Sequence, residues 1–258
     1  MRRRQAPIRG LLLLGFMNLV LLGCQLPGAA PPTPVIIVQN AQGTPLAGAG
    51  VGPTVAPVTP TPGLNLITNG SFASDWSTGW QRDTGQAITG QSVTQVISAS
   101  QGSSGKAVRL VHDGASYLEL YQSVNLDSLN VTLSAQINPM AEAPCRGIFK
   151  ACTGVAWISF VLRDAQDKEL GRFSYLYPGS KDQINMASNA TTRMILLQPN
   201  WQTIRFNLGQ EITNTLPKLN ATAVKKVVVS LTVGSVGDCG PGECYAEVQV
   251  TEVQVTKN

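Results

Sequence analysis

The sequence predicts an all-β fold, a two-sheet sandwich formed by residues 64–258, and two observations support this prediction. First, nine segments place apolar, often β-branched or aromatic, side chains at every second position, which is typical of half-buried strands. They are 106–111, 116–124, 131–137, 155–164, 170–177, 194–197, 201–208, 227–233 and 245–255. Second, Asn, Gly, Asp and Pro fill the gaps, and no long segment has a helical period. At most a turn of helix is expected within residues 211–224.

The alternation within these segments assigns their faces. Segments 155–164 and 170–177 are predicted to pair as a hairpin across residues 165–168, with Trp157 on the face opposite the core. The last segment changes phase near Thr251, which indicates an irregularity in that strand. The predicted core residues are Ile158, Phe160, Leu162, Ile204, Phe206, Leu208, Val248, Val250, Val253 and Val255.

Residues 1–23 have the composition of a secretory signal peptide. Four arginines, at positions 2, 3, 4 and 9, precede an apolar run at residues 11–22. This run is short for a stable membrane span, which needs about 20 residues. Removing the four arginines leaves 15 basic and 15 acidic residues, so the rest of the chain carries no formal net charge. The composition therefore gives no support to nucleic-acid binding.

The leader ends in Leu21-Leu22-Gly23-Cys24, which resembles the bacterial lipobox. In that family the cysteine thiol receives a diacylglycerol and becomes the new amino terminus. The resemblance implies that Cys24 carries a lipid and holds the protein to a membrane on the extracytoplasmic side of the cell envelope. The alternative is an ordinary signal peptide with an incidental cysteine.

Residues 24–63 are predicted to be a flexible, lipid-anchored linker. Beyond Cys24 they are rich in Pro, Gly, Ala, Thr and Val and have neither a charged nor an aromatic residue. Such a segment cannot bury enough apolar surface to offset its conformational entropy. The exception is a β-prone run at residues 35–38, which is a candidate for an additional strand.

Four further cysteines fit an oxidising compartment. Cys145 and Cys152 are close in sequence, and so are Cys239 and Cys244, so pairing within each pair is the simplest of three connectivities. Each disulfide would pin a short loop. The alternative is a four-thiolate zinc site, although these spacings are wider than the usual two residues.

Four motifs in order carry a family resemblance. Residues 65–72 read NLITNGSF, followed by Gly79-Trp80, and residues 120–124 read LYQSV. Residues 201–206 read WQTIRF, and residues 246–255 read AEVQVTEVQV. Together they resemble carbohydrate-binding modules of families four and nine, whose domain is a galactose-binding-like jelly roll. The resemblance implies a jelly-roll sandwich and carbohydrate binding, although this fold hosts many functions.

Two departures from that family concern a structural calcium ion, which its acidic residues commonly help to hold. The family's Glu after Phe is Ala73 here, and its closing Asp-Asp-Val is Thr251-Glu252-Val253. Calcium binds several oxygen ligands, usually including carboxylates, so these losses argue against the ion. The nearest spare acids are Glu252 and Asp75, and no other cofactor is predicted.

Sugar binding needs flat aromatic faces with amides or carboxylates nearby. By parity, Tyr117, Glu119 and Tyr121 share one face of their strand, and Tyr175 and Tyr177 share one face of another. With Trp157, these residues are predicted to line a groove on a concave sheet, with Arg163 and Gln122 near its rim. The alternative is that the aromatic residues fill the core. Trp76, Trp80 and Trp201 are assigned to core or loop packing.

The sequence contains no constellation that specifies a reaction. Glu119, Asp164, Glu169 and Glu247 show no spacing that would pair two of them for glycoside hydrolysis. The single histidine, His112, is expected in a loop at a strand end. We therefore expect a non-catalytic protein that binds a polysaccharide. The alternative is a structural or interaction subunit of a cell-envelope protein assembly.

Overall fold

The computed structural model describes residues 63–85, 90–142, 152–184, 187–237 and 239–258. Within these ranges the chain forms eleven strands, one short α-helix and two 3₁₀ turns. The strands are β1 Gln81–Thr84, β2 Gln91–Ser98, β3 Lys106–Asp113, β4 Tyr117–Asn125, β5 Val131–Ala141, β6 Cys152–Arg163, β7 Glu169–Pro178, β8 Thr192–Leu196, β9 Gln202–Asn207, β10 Lys226–Gly237 and β11 Tyr245–Lys257. The helix is α1 Leu208–Thr215, and the 3₁₀ turns are Lys181–Gln183 and Ala221–Ala223.

The strands form two sheets, which confirms the predicted jelly-roll sandwich. One sheet has six strands in the order β1-β4-β10-β6-β7-β8, and the other has five in the order β2-β3-β11-β5-β9. Every pairing is antiparallel except that of β7 with β8. The predicted hairpin is the β6–β7 pair.

The inner faces of the two sheets enclose one hydrophobic core. The predicted core set is buried, except that Phe206 is only partly buried where it packs against the core. The pairing of β11 with β5 shifts between Thr251 and Gln254, where the sequence predicts an irregularity. This bulge allows Val250 and Val253 to remain on the core side.

Strands β1 and β2 lie outside the nine predicted strands. β1 is fully exposed, and β2 carries mostly polar, partly exposed residues, so neither has the apolar alternation that identifies a strand. Helix α1 begins at Leu208, the last residue of predicted segment 201–208, and its eight residues exceed the single turn expected within residues 211–224. Asn207 ends β9 and caps α1, because its side chain accepts a hydrogen bond from the backbone N–H of Gln210 (3.0 Å).

The opening segment, residues 63–80, crosses from one sheet to the other. Asn65 forms a bridge with Thr256, and its Oδ1 accepts from the backbone N–H of Val255 (3.0 Å). Further along, Phe72 and Trp80 are buried with their ring centroids 5.3 Å apart. The predicted packing role of Trp80 is therefore confirmed.

Two disulfide-bonded elements meet at one end of the sandwich. Cys239 and Cys244 form the predicted disulfide, so they are not the thiolate ligands of a zinc site. Cys152 is also disulfide-bonded, and its predicted partner Cys145 lies outside the described residues. The Sγ atoms of Cys152, Cys239 and Cys244 all lie within 4.8 Å of one another. The disulfide bond of Cys152 and the Cys239–Cys244 disulfide therefore lie next to each other.

The predicted signal peptide, the lipobox with Cys24 and the linker also lie outside the described residues. In the part of the chain that is described, no helix is both long and apolar enough to cross a membrane.

Candidate functional site

The predicted residues of β4 lie on the outer face of the six-stranded sheet. Leu118 and Leu120 are fully buried in the core, so the alternating residues Tyr117, Glu119 and Tyr121 point away from it. All three are partly exposed. β4 therefore presents two aromatic rings with a carboxylate between them.

The neighbouring strand β10 presents small side chains on the same face. Tyr121 pairs with Ser230, Glu119 with Thr232 and Tyr117 with Gly234. A Cβ on Gly234 would lie 2.9 Å from the Cβ of Tyr117 and 2.8 Å from the Ser116 carbonyl oxygen, so glycine permits this close approach. Ser230 and Thr232 are only 4% and 2% exposed, which places them lower than the rings beside them.

Trp157 of β6 stands on the other side of β10. Thr232 pairs with Glu119 on one side and with Trp157 on the other, so the three residues form one row across the sheet. Two strand spacings separate Glu119 from Trp157, about 10 Å between backbones. We call this surface the outer trough. Its floor is Ser230, Thr232 and Gly234, and its walls are Tyr117, Glu119 and Tyr121 on one side and Trp157 on the other.

Some polar groups of the outer trough already form hydrogen bonds within the protein. Ser230 donates to Glu119 Oε1, and the Ser230 and Thr232 hydroxyls are 3.0 Å apart. Within the described ranges, no hydrogen bond involves Glu119 Oε2, the Tyr121 hydroxyl or the Trp157 indole N–H. These groups can serve a ligand as one acceptor, one hydroxyl and one donor. The aromatic faces offer apolar contact beside them.

Asp83 belongs to this surface although the sequence did not single it out. It lies on β1 opposite Glu119, and its Oδ2 accepts from the Tyr117 hydroxyl at 3.3 Å. Burial and these two carboxylates raise the pKa of Tyr117, which stays a neutral hydrogen-bond donor. Only recognition of β1 as an edge strand could have identified Asp83.

Tyr175 and Tyr177 do not join the trough, so that part of the predicted groove is wrong. In the β6–β7 register Trp157 pairs with Leu176, whereas Tyr175 pairs with Ile158 and Tyr177 with Ala156 on the inner face. The Tyr175 ring lies 6.1 Å from the ring of Phe206, in a stacked arrangement. Burial raises the pKa of Tyr175. For these two residues the alternative of core packing holds.

The predicted rim is also only partly correct. Gln122 is buried on the inward side, where its amide accepts from the N–H of Thr68 (2.7 Å) and donates to the Thr68 carbonyl (3.0 Å). It therefore ties the opening segment to β4. Arg163 does lie on the same face of β6 as Trp157, two rows from Ser159, and its Nε is buried without a hydrogen-bond partner.

The four carboxylates considered for catalysis are spread over the fold. Glu119 lies on the six-stranded sheet and Glu247 on the five-stranded one. Asp164 organises the β6–β7 turn by accepting from the backbone N–H groups of Gln166 and Lys168, and Glu169 pairs with Arg172 (2.5 Å). Glu119 and Glu247 therefore lie on different sheets, while Asp164 and Glu169 lie at the two ends of one turn.

His112 is a core residue rather than a loop residue. It lies within β3 and is fully buried, with Nδ1 2.9 Å from the Ser92 hydroxyl and Nε2 2.9 Å from the Ala115 carbonyl oxygen. Both ring nitrogens therefore have partners, and the ring fixes the turn between β3 and β4.

Two cavities lie away from the outer trough. One, of about 350 Å³, is on the five-stranded sheet and is lined by polar residues that include Gln136, Arg205 and Glu252. The other, of about 260 Å³, lies beside Asp127 and Lys225. Neither cavity includes a residue of the outer trough.

Large exposed apolar side chains are scattered over the described surface. Val93 and Met140 lie on the five-stranded sheet, Val236 lies at the end of β10, and Leu64 belongs to the opening segment. Val93 and Met140 face outward in one row across that sheet, with Val111 and Glu247 between them, and Val236 belongs to the other sheet.

Comparisons with known proteins reveal a distant structural likeness. No known protein family and no curated protein matches the sequence. A family 61 carbohydrate-binding module in complex with β-1,4-galactotriose has a TM-score of 0.41 and 13% identity, over 76% of this chain and 99% of that chain. The family 11 module of the cellulosomal cellulase Lic26A-Cel5E of Clostridium thermocellum has a TM-score of 0.36 and 11% identity, over 70% and 88%.

A similar structure also comes from an enzyme. It is the enzymatically active domain of tailspike protein 4 of bacteriophage CBA120, with a TM-score of 0.40 and 9% identity, over 72% of this chain and 21% of that chain. Identities and TM-scores this low carry no information about the ligand or activity of this chain.

Proposed function

We propose that this protein is a non-catalytic glycan-binding protein that uses the outer trough. The observation that carries the proposal is the row Glu119–Thr232–Trp157, with Tyr117 and Tyr121 beside it. Aromatic faces pack against the apolar face of a pyranose ring, while the Glu119 carboxylate and the indole N–H serve its hydroxyls.

The shape of the surface indicates the kind of glycan. The floor runs along β10, and no described side chain larger than threonine occupies it between Ser230 and Gly234. A trough of this kind accepts the side of a polymer chain, so we propose a polysaccharide rather than a free monosaccharide as the ligand.

The experiment is affinity electrophoresis of the full chain, purified in mild detergent, through gels that each contain one soluble polysaccharide. We expect retardation in at least one gel, and its loss in Trp157→Ala and Tyr121→Ala. The matched control is Met140→Ala, because Met140 is half exposed on the other sheet. This variant should remain retarded.

Two results would count against the proposal. Retardation that survives both substitutions would move the site away from the outer trough. No retardation in any gel would favour the alternative of a subunit in an envelope protein assembly, and co-purification from membranes would then identify the partner.

We further propose that a lipid on Cys24 anchors the protein on the extracytoplasmic face of the cell envelope. The support is the lipobox resemblance of residues 21–24 and the disulfide-bonded state of Cys152, Cys239 and Cys244, which fits an oxidising compartment. Cys24→Ser should move the protein from the membrane to the soluble fraction. Unchanged membrane attachment of that variant would refute the anchor.

A further inference from the structure

Three backbone carbonyl groups of the opening segment and the start of β3 accept side-chain hydrogen bonds beside the bulge of β11. They belong to Ser71, Ala73 and Lys106. We call this place the carbonyl junction. Ala73 and Thr251, which stand where the resembling family has acidic residues that help to hold calcium, both lie at it.

Two hydroxyl groups close the junction. Ser104 Oγ donates to the Ser71 carbonyl at 2.6 Å, and Thr251 Oγ1 donates to the Lys106 carbonyl at 2.8 Å. Each hydroxyl is also 3.5 Å from the other carbonyl oxygen. The four oxygen atoms thus form a ring held by two protons. Thr251 is fully buried, so its hydroxyl satisfies a carbonyl that little water can reach.

An ammonium group serves the third carbonyl. Lys106 Nζ donates to the Ala73 carbonyl oxygen at 3.3 Å, so a positive charge stands beside the segment that follows Phe72. Lys106 thereby contributes twice, because its own carbonyl belongs to the ring that Thr251 closes.

The donor set does not fit a calcium ion. Calcium takes six to eight oxygen ligands at about 2.3–2.6 Å, usually with several carboxylates. Here the carbonyl oxygens accept protons, and the spare acid Glu252 accepts from the N–H (2.6 Å) and hydroxyl (2.7 Å) of Ser103. Asp75 is likewise bonded to Ser77. Among the described residues, no three acidic or histidine side chains place their ligand atoms within 4.8 Å of one another.

We infer that the Ser104 and Thr251 hydroxyls and the Lys106 ammonium group stand in for a bound divalent cation at the carbonyl junction. The domain keeps its opening segment docked on β11 through these internal donors. Its fold, and any binding at the outer trough, is then independent of calcium.

The first test is thermal unfolding of the purified full chain, with CaCl₂ and with EDTA, at equal ionic strength. The inference requires the same Tm in both solutions, within about 1 °C. A Tm that falls in EDTA and recovers with calcium, but not with magnesium, would overturn it.

The second test removes the buried hydroxyl. Thr251→Val keeps the shape of the side chain but leaves the Lys106 carbonyl without its donor, so we expect Tm to fall by roughly 3–8 °C in both solutions. The matched control is Thr256→Val on the same strand, because no hydrogen bond of the Thr256 hydroxyl occurs within the described ranges. An unchanged Tm for Thr251→Val would overturn the role of the hydroxyl.

The third test converts the junction. In the combined variant Ala73→Glu, Thr251→Asp and Lys106→Met, two carboxylates replace the hydroxyl and the ammonium group. We expect it to gain a Tm rise of about 5–10 °C at calcium a hundredfold above Kd. The uncharged counterpart, Ala73→Gln, Thr251→Asn and Lys106→Met, should show no rise in Tm with calcium. If the acidic variant folds and its Tm does not change with calcium, the inference that the junction replaces a cation site is wrong. If the variant fails to fold, the Tm of Thr251→Val and the comparison of CaCl₂ with EDTA test the inference instead.

Discussion

Replacing Glu247 by Gln is expected to destabilise the protein strongly at neutral pH and much less in acid. Glu247 lies on the outer face of the five-stranded sheet, yet its side chain is only 7% exposed. It accepts from Arg109 Nη2 (2.6 Å), from Gln249 Nε2 (2.8 Å) and from the Tyr245 hydroxyl. A neutral amide of the same size cannot satisfy the guanidinium charge.

The magnitude follows from the pKa of this carboxyl. Burial raises it, but the hydrogen bonds from Arg109, Gln249 and Tyr245 together outweigh burial and lower the pKa from 4.5 to about 2. At about 1.4 kcal/mol per pH unit, this gap corresponds to roughly 3 kcal/mol of stability. Because the folded pKa is depressed, the contribution is complete above pH 4.5 and is lost as the pH falls through 2. At pH 3 less than half of it remains.

The assay is urea unfolding followed by tryptophan fluorescence at pH 7, 5, 4 and 3. We expect Glu247→Gln to lower the free energy of unfolding by about 2–3 kcal/mol at pH 7, and the difference from the unsubstituted chain to shrink steadily below pH 5. The matched control is Glu169→Gln, whose ion pair with Arg172 is more than a third exposed on both sides. It should change stability by less than about 1 kcal/mol. An equal difference at pH 7 and pH 3 would refute the reasoning.

Three further outcomes are expected. Gly70→Ala should lower the free energy of unfolding by more than about 2 kcal/mol, because its Cβ would overlap the Val253 carbonyl oxygen, and urea unfolding measures this. Replacing both Cys239 and Cys244 by Ser should lower the free energy of unfolding by about 2 kcal/mol, because the Cys239–Cys244 disulfide is lost, and the measurement is a lower Tm without reductant. Tyr175→Ala should cost about 3 kcal/mol while leaving glycan retardation unchanged at temperatures where the variant is folded, since Tyr175 packs inward. Retardation lost in folded Tyr175→Ala would contradict its placement.

Much of the fold was predictable because alternation is a local property. Leu118 and Leu120 alternate with Tyr117, Glu119 and Tyr121, so the faces of β4 could be assigned without any knowledge of its neighbours. The six-stranded sheet could not be assembled in the same way. Which strands flank β4 depends on contacts distant in sequence, and the exposed, polar β1 leaves no apolar signal.

Parity alone shows that Tyr175 and Tyr177 share a face of β7 but does not show which face points to the core, and the predicted groove placed them on the wrong one. Near the turn Arg163 pairs with Glu169, but the next pair is Leu162 with Gly171, so Leu170 is an extra residue in β7. Without this bulge, the register that begins at Arg163 would place Tyr175 opposite Trp157, on the outer face. A one-residue shift moves every following side chain to the other face of a sheet. Parity within each strand was correct, and the relation between the strands was not.

If the proposed lipid on Cys24 anchors the protein, the bridge between Asn65 and Thr256 has a mechanical consequence. Tension along the tether reaches the domain at residues 63–66, where the chain is bonded to the end of β11 through Leu66 N–H to Val255 O and Val255 N–H to Asn65 Oδ1. These contacts lie at the end of β11, beyond its pairing with β3, and they follow one another along the chain, so a pull breaks them one at a time. The strands of the outer trough, β4, β10 and β6, lie in the other sheet and share none of these bonds. A stretching force would therefore be relieved first at residues 63–66, and it would reach β4 of the outer trough only through the next contacts along the chain, the hydrogen bonds between Thr68 and Gln122.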